Sequence, residues 1–221
     1  FTGYMRFWNM AIPLVGYFFL AYAIGHLYSR YALKKLKDIG KDFNFVAEAR
    51  ADQFKCEDYV LLKDSGFTVI QTGIESFSTD YLKKMNKGTR VIDNIAALKY
   101  CKENNIKNPY NLIVNYPNEE LIDYDETKKN IQLIKQYLDP PNICQLRVVF
   151  ESPVFCNYEL YNIEKLRLTA IDEIMFPRDI LEKQFCFVYN YDRKEKVDDY
   201  NWSDLILSWK KEREKSAING L

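Results

Sequence analysis

Four short β-rich runs each end in residues able to do chemistry. Glu48 and Arg50 close the first, Gly73, Glu75 and Ser76 follow the second, Asn115, Pro117 and Glu119 follow the third, and Glu151 and Ser152 follow the fourth. A buried strand has no reason to carry carboxylates at its end unless something outside pairs with them, and polar residues recur at all four ends. Glu48 and Glu75 suit the hydroxyls of a ribose or an ammonium group. Arg50 suits a carboxylate gripped by two N–H groups. Gly73, lacking a side chain, lets a ligand approach the backbone. A zwitterionic amino-acid group attached to a nucleoside matches such a surface better than a phosphate-rich ligand. No GxGxxG and no GxxxxGK[ST] occurs, which excludes dinucleotide and P-loop readings.

Other chemistries are poorly supplied. The five cysteines (Cys56, Cys101, Cys144, Cys156, Cys186) are widely spaced, with no CxxC, and read as reduced thiols of a cytoplasmic protein rather than a disulfide framework. The single histidine, His26, lies in an apolar run, which leaves neither a zinc site nor a Ser-His-Asp triad. Lys+Arg and Asp+Glu number 31 each, arguing against a general nucleic-acid binder.

The elements that must position the strand ends alternate. Residues 43–49, 68–72, 110–115 and 143–150 read as strands, and 53–65, 90–104 and a segment opening near Asp123 read as helices. Gly66 stands where a helix C-cap belongs, and Pro140-Pro141 stops the third helix. Strand–helix alternation implies βαβ units, a parallel sheet and strand ends on one rim. Only about four units are visible, so the expected fold is α/β: a partial parallel (β/α) barrel, truncated on its N-terminal side, with an irregular α+β tail. The expected organisation is an apolar N-terminal helix over 1–40, the partial barrel over 41–156 and an extension over 157–221. Aromatic residues of that extension and its approach, Phe155, Tyr158 and Tyr161, suit core packing better than a peptide groove.

Residues 7–29 contain no Asp, Glu, Lys or Arg, between Arg6 and Arg30. They read either as a membrane span, with the downstream Lys/Arg placing the rest in the cytoplasm as an inner-membrane-anchored protein, or as a buried barrel helix.

The wording of the motifs is more specific. Gly73-Ile74-Glu75-Ser76-Phe77-Ser78, then Leu82 and Met85-Asn86-Lys87-Gly88, resembles the GIES…L…M.KG stretch of radical SAM enzymes. Ala47-Glu48-Ala49-Arg50-Ala51 resembles that family's E-x-[KR]-A strand end. Asn111 to Glu119 resembles its W-N-x-x-x-G-F-P-G-E strand and loop, with Asn115 and Asn118 in place of both glycines. Leu146 to Pro153 resembles an R-F-S-P strand end of the cobalamin-dependent branch that matures ribosomally made peptides. The resemblance covers residues 43–153.

The resemblance implies a cofactor, S-adenosylmethionine, lined by Glu48, Arg50, Gly73, Glu75 and Ser76, with the strand from Asn111 through Asn115 to Pro117 beneath its adenine. It also implies a [4Fe–4S] cluster, whose CxxxCxxC loop is not in this sequence and is expected outside it, and cobalamin in the whole protein. The implied reaction is reductive cleavage of S-adenosylmethionine to modify a peptide substrate, with this chain inactive alone. The alternative is a non-catalytic module that binds a ligand or partner.

Overall fold

The computed structural model describes residues 30–40, 44–183, 188–194 and 200–218. Residues 7–29, with His26, and Cys186 lie outside these. Among the described residues no helix is long and apolar enough to cross a membrane.

In chain order, helical residues 30–39 (α1) lead to β1 (Phe45–Arg50), α2 (Cys56–Asp64), β2 (Phe67–Gly73), α3 (Thr79–Lys84), α4 (Val91–Glu103), β3 (Asn111–Ile113), α5 (Leu121–Ile134) and β4 (Asn142–Cys144). There follow β5 (Val148–Val149), α6 (Pro153–Cys156), a 3-10 turn (Tyr158–Tyr161), β6 (Ile163–Arg167), α7 (Ala170–Met175), α8 (Arg178–Leu181), β7 (Val188–Arg193) and α9 (Trp202–Ile218).

The first four strands run parallel. β1 pairs with β2 and β3 with β4. Backbone bonds from Ile70 to Lys107 (2.9 Å) and from Glu75 to Asn111 (3.1 Å) join β2 to the β3 segment, giving the spatial order β1-β2-β3-β4. Each crossover is helical because its sequence caps itself. In α5, for example, the Asp123 carboxylate accepts from the Glu120 backbone N–H at 2.9 Å. Gly66, at φ 95°, ends α2 and turns the chain into β2.

Period-two alternation then assigns faces. Ile70, Thr72, Leu112 and Val114 are buried beneath the helices, with Leu62 of α2, Leu98 of α4, Ile131 of α5, and Trp202 and Trp209 of α9 in the same core. Val46, Glu48, Arg50 and Gln71 lie on the opposite face and are exposed. Helices α2, α4, α5 and α9 pack on the buried side, while the exposed residues of β1 and β2 leave the other side open there among the described residues. Trp202 and Trp209, in the segment read as an extension, pack into the core of the parallel ladder.

Three expectations are corrected. The run 143–150 is not one strand. It leaves the ladder after Cys144, and Val148 is drawn into a second core with Ile163 and Tyr189, where β5, β7 and β6 form an antiparallel sheet in that order. Glu151 and Ser152 are therefore not at the end of a parallel strand; Ser152 caps α6 instead. The segment between Gly73 and Gly88, given neither strand nor helix from the sequence, contains α3, capped by Ser78 accepting from Tyr81 N–H at 3.2 Å. Finally, α5 opens at Leu121, and Asp123 is its third residue rather than its cap. The architecture is mixed α/β with small sheets and no closed barrel among the described residues.

Candidate functional site

The β1–β2 register builds the first part of the site. Glu48 stands opposite Gln71, and Arg50 opposite Gly73. Glu48 is exposed on the open face and has no hydrogen-bond or ion-pair partner among the described residues. Arg50 is engaged: its Nε and Nη2 donate to Asp52 at 3.1 and 3.2 Å, and the paired carboxylate holds the guanidinium charged.

Beyond β2, Glu75 adopts φ 61°, unusual for a side chain with a Cβ, and its carboxylate meets Lys87 Nζ at 2.8 Å. The same ammonium nitrogen lies 3.0 Å from where a Cβ on residue 73 would stand. A glycine at 73 thus leaves room for Lys87 to close over the end of β2, and the next residue, Gly88, sits close to the Arg50 guanidinium.

Ser76 is drawn away from the rim. It is fully buried, its Oγ accepts from Ser78 N–H at 2.9 Å, and its carbonyl accepts from Asn94 Nδ2 at 2.8 Å. Its hydroxyl shapes the loop rather than facing the open side. Glu119 also turns inward. Its carboxylate accepts from Tyr81 OH (2.9 Å), Tyr116 N–H (3.1 Å) and Trp202 Nε1 (2.8 Å), and burial pushes the carboxyl above its usual range. The expected convergence of Glu48, Arg50, Glu75, Ser76 and Glu119 on one hollow therefore fails for Ser76 and Glu119.

The β3 end contributes Asn111 and Ile113, on the side opposite the buried Leu112 and Val114. Asn115 is left-handed at φ 53°. Its carbonyl accepts from Arg193, and its side-chain Oδ1 is buried with no partner among the described residues. Such an unmatched acceptor costs about 1–3 kcal/mol unless a ligand or water satisfies it. Pro117 is buried, and its carbonyl accepts from Asn162 Nδ2 at 2.9 Å. The antiparallel sheet is thus pinned onto the loop that follows β3.

Where the two parts meet, an open cleft of about 1180 Å³ runs between them. One wall carries Asn111, Ile113, Cys144 and Arg147; the other carries Asp172, Phe176, Ile180 and Tyr189. Burial pushes the Cys144 thiol up, Glu75 adds to the effect and Arg147 opposes it, so Cys144 is no ready nucleophile. Phe155, Tyr158 and Tyr161 pack in the second core, and Tyr161 also meets Tyr116 edge-on at 6.4 Å.

The described residues do not fit an iron–sulfur cluster. Among them no three His, Cys, Asp or Glu side chains group as metal ligands, and the four described cysteines are separate: Cys56 and Cys156 exposed, Cys101 buried, Cys144 between. What S-adenosylmethionine would need is present in separate pieces: an exposed, unpaired carboxylate at Glu48, a glycine at 73 overhung by Lys87 Nζ, and a buried, unmatched acceptor at Asn115 Oδ1.

Four contributors escape a reading by strand ends: Lys87, Asn94, Arg147 and Tyr189. Lys87 stands in a quoted motif, but its pairing with Glu75 spans twelve residues and depends on α3. Asn94 reads as an ordinary polar position of a helix.

Comparison with known proteins follows the same outline. The sequence model of the radical SAM superfamily matches residues 14–131, more than half the chain. A Methanocaldococcus jannaschii protein named as a methylthiotransferase is 36% identical over 97 residues, covering 43% of this chain and 22% of that protein. The structure of the radical S-adenosylmethionine methyltransferase TsrM from Kitasatospora setae, with cobalamin and a [4Fe–4S] cluster bound, superposes with a TM-score of 0.55 at 12% identity, over 83% of this chain and 40% of that one. Methanocaldococcus infernus Elp3 gives a TM-score of 0.44 at 21% identity, over 52% of this chain and 27% of its own. The chain thus spans about a fifth of the curated relative and less than half of either solved chain.

Proposed function

The chain belongs to the radical SAM superfamily, and from that premise we propose that the open face of β1–β4 holds S-adenosylmethionine for modification of a peptide substrate. On this reading the parallel ladder is a segment of a (β/α) barrel whose open face is the barrel interior. The cluster ligands lie outside the described residues, and the whole protein uses cobalamin. The support for a peptide substrate and for cobalamin is the resemblance of Leu146–Pro153 to the peptide-maturing branch.

The observation that carries the proposal is the β1–β2 register. Arg50 pairs with Gly73, so the free Glu48 carboxylate and the backbone of residue 73, overhung by Lys87 Nζ, occupy neighbouring levels of one face. Glu48 accepts from ribose hydroxyls or from the methionyl ammonium. Gly73 gives the Lys87 ammonium room to sit at the edge of the ligand. Asn115 Oδ1 accepts from an N–H donor such as an exocyclic amine. The Glu75–Lys87 pair fixes the far edge. When bound, S-adenosylmethionine supplies an electrophilic sulfonium with transferable carbon groups.

Calorimetric titration of the folded chain with S-adenosylmethionine tests this. Binding is expected, weakened about tenfold or more in Gly73→Val, whose side chain would displace Lys87 and disturb the Glu75–Lys87 edge of the site. A chain that is folded by circular dichroism yet takes up no ligand rules the site out. Binding by a whole protein that never cleaves the ligand, after anaerobic reconstitution with iron and sulfide, favours the non-catalytic module.

A further inference from the structure

We propose that the cleft between the β3–β4 rim and α7–α8 seats the substrate, and that Arg147 and Tyr189 select one bearing a single carboxylate on an apolar or aromatic body. This rests on the cofactor reading above only in calling the occupant a substrate; the ligand chemistry follows from the cleft itself.

Two unmatched polar groups mark the cleft. Arg147 is exposed, lines it, and has no hydrogen-bond or ion-pair partner among the described residues. That separates it from Arg50, Arg90 and Arg167, each held by an aspartate. Tyr189, also a lining residue, is 8% exposed, and its hydroxyl has no partner among the described residues. A buried hydroxyl left unmatched is costly, so a ligand or water belongs there. The guanidinium and the phenol are both donors of the kind a carboxylate takes, and both line this cleft.

The remainder of the lining sets the body of the ligand. Ile113, Leu146, Ile171, Phe176, Ile180 and Val188 give the cleft apolar walls. Ile171 is 66% exposed and adds apolar surface to the α7 wall. The charges set the ligand's valence. Among the described residues Arg147 is the only cation lining the cleft, and Asp172 its only carboxylate. Asp172 repels any anion here, a doubly charged phosphate about twice as strongly as a carboxylate, so the single cation Arg147 balances a single negative charge better. Position agrees: the Cys144 thiol on the same wall responds to both Glu75 and Arg147, so the cleft adjoins the rim where the cofactor is placed.

Calorimetry on the folded chain with three probes decides the matter: N-acetyl-L-phenylalanine, its amide, and phenyl phosphate. The acid is expected to bind at least about tenfold more tightly than the amide, the size of one charge-assisted contact. Arg147→Gln should abolish that preference and Arg147→Lys restore part of it, with S-adenosylmethionine affinity unchanged; Tyr189→Phe should weaken the acid alone. Because Arg147 is exposed, its replacement does not endanger folding. Equal binding of acid and amide, tighter binding of phenyl phosphate, an unaltered Arg147→Gln variant, or displacement of the acid by S-adenosylmethionine would each overturn the proposal. Acid-selective binding in a chain that ignores S-adenosylmethionine would leave the carboxylate cleft standing and remove the cofactor site; the reverse pattern would remove the cleft alone.

Discussion

The side-chain amide of Asn94, within α4, donates to the backbone carbonyl of Ser76 at 2.8 Å. The same Nδ2 donates to Ile74 at 2.8 Å, so one buried side chain clamps both sides of Glu75. Glu75 needs the clamp. Its φ of 61° costs of order 1 kcal/mol or more for a residue with a Cβ, and the loop persists only if its surroundings hold it.

Asn94→Asp is therefore expected to be more damaging than Asn94→Ala. Alanine strands the buried Ser76 carbonyl and leaves the Ile74 carbonyl only its bond from Ser76 N–H at 2.7 Å, at about 2 kcal/mol. Aspartate adds a carboxylate facing the same two oxygens and should cost about 3 kcal/mol or more. Urea denaturation of the three proteins gives the order directly. An aspartate variant as stable as the alanine variant would mean that the amide does not clamp the loop.

The parts of this arrangement that were readable in the sequence are those fixed locally. β-branched runs such as Thr68–Thr72 and the apolar stripe of Val91, Ile95 and Leu98 announce β2 and α4 within a few residues, and their alternation implies parallel pairing. Ser76 and Glu119 could not be read the same way. Both look like rim residues because both follow strands, but their orientation depends on partners far along the chain: Asn94 for Ser76, and Trp202, 83 residues distant, for Glu119. The split of 143–150 is equally non-local. An unbroken β-rich run hides a change of partner, from β3 to β7, that only the second core at Val148 imposes. Lys87 and Arg147 stand inside quoted motifs, but the partner of Lys87 and the cleft lined by Arg147 depend on distant segments.

Glu119 makes a pH-dependent contribution whose sign can be worked out. Burial outweighs the bonds from Tyr81, Trp202 and Tyr116 and lifts its carboxyl above the ordinary 4.5. The native state then binds the proton more tightly than the unfolded chain. The resulting stability is fully present below about pH 4.5 and is lost as pH rises through the native value. Glu119→Gln removes this dependence and turns an amide N–H₂ toward donors, at a cost of about 2–4 kcal/mol. Chemical denaturation from pH 4 to pH 7.5 should show the wild-type advantage over Glu119→Gln shrinking as pH rises. An advantage that grows with pH would mean a carboxyl held below, not above, its usual value.

Trp209 tests whether α9 belongs to the core of the parallel ladder. Its ring is fully buried, its centroid lies 6.3 Å from that of Phe77, and its Nε1 donates to the Leu138 carbonyl at 3.0 Å. Trp209→Ala removes a large side chain from a site with little freedom to collapse and should cost about 3–5 kcal/mol. That corresponds to a fall in melting temperature on the order of 10 °C for a chain of this size. Trp209→Phe keeps most of the volume, loses the Leu138 bond and should cost less. Phe77 directly follows Ser76, so the loop that carries Glu75 rests on this contact. Trp209→Ala is therefore expected to weaken S-adenosylmethionine binding at temperatures where the chain is still folded, whereas a helix merely appended to the surface would leave both melting temperature and affinity where they were.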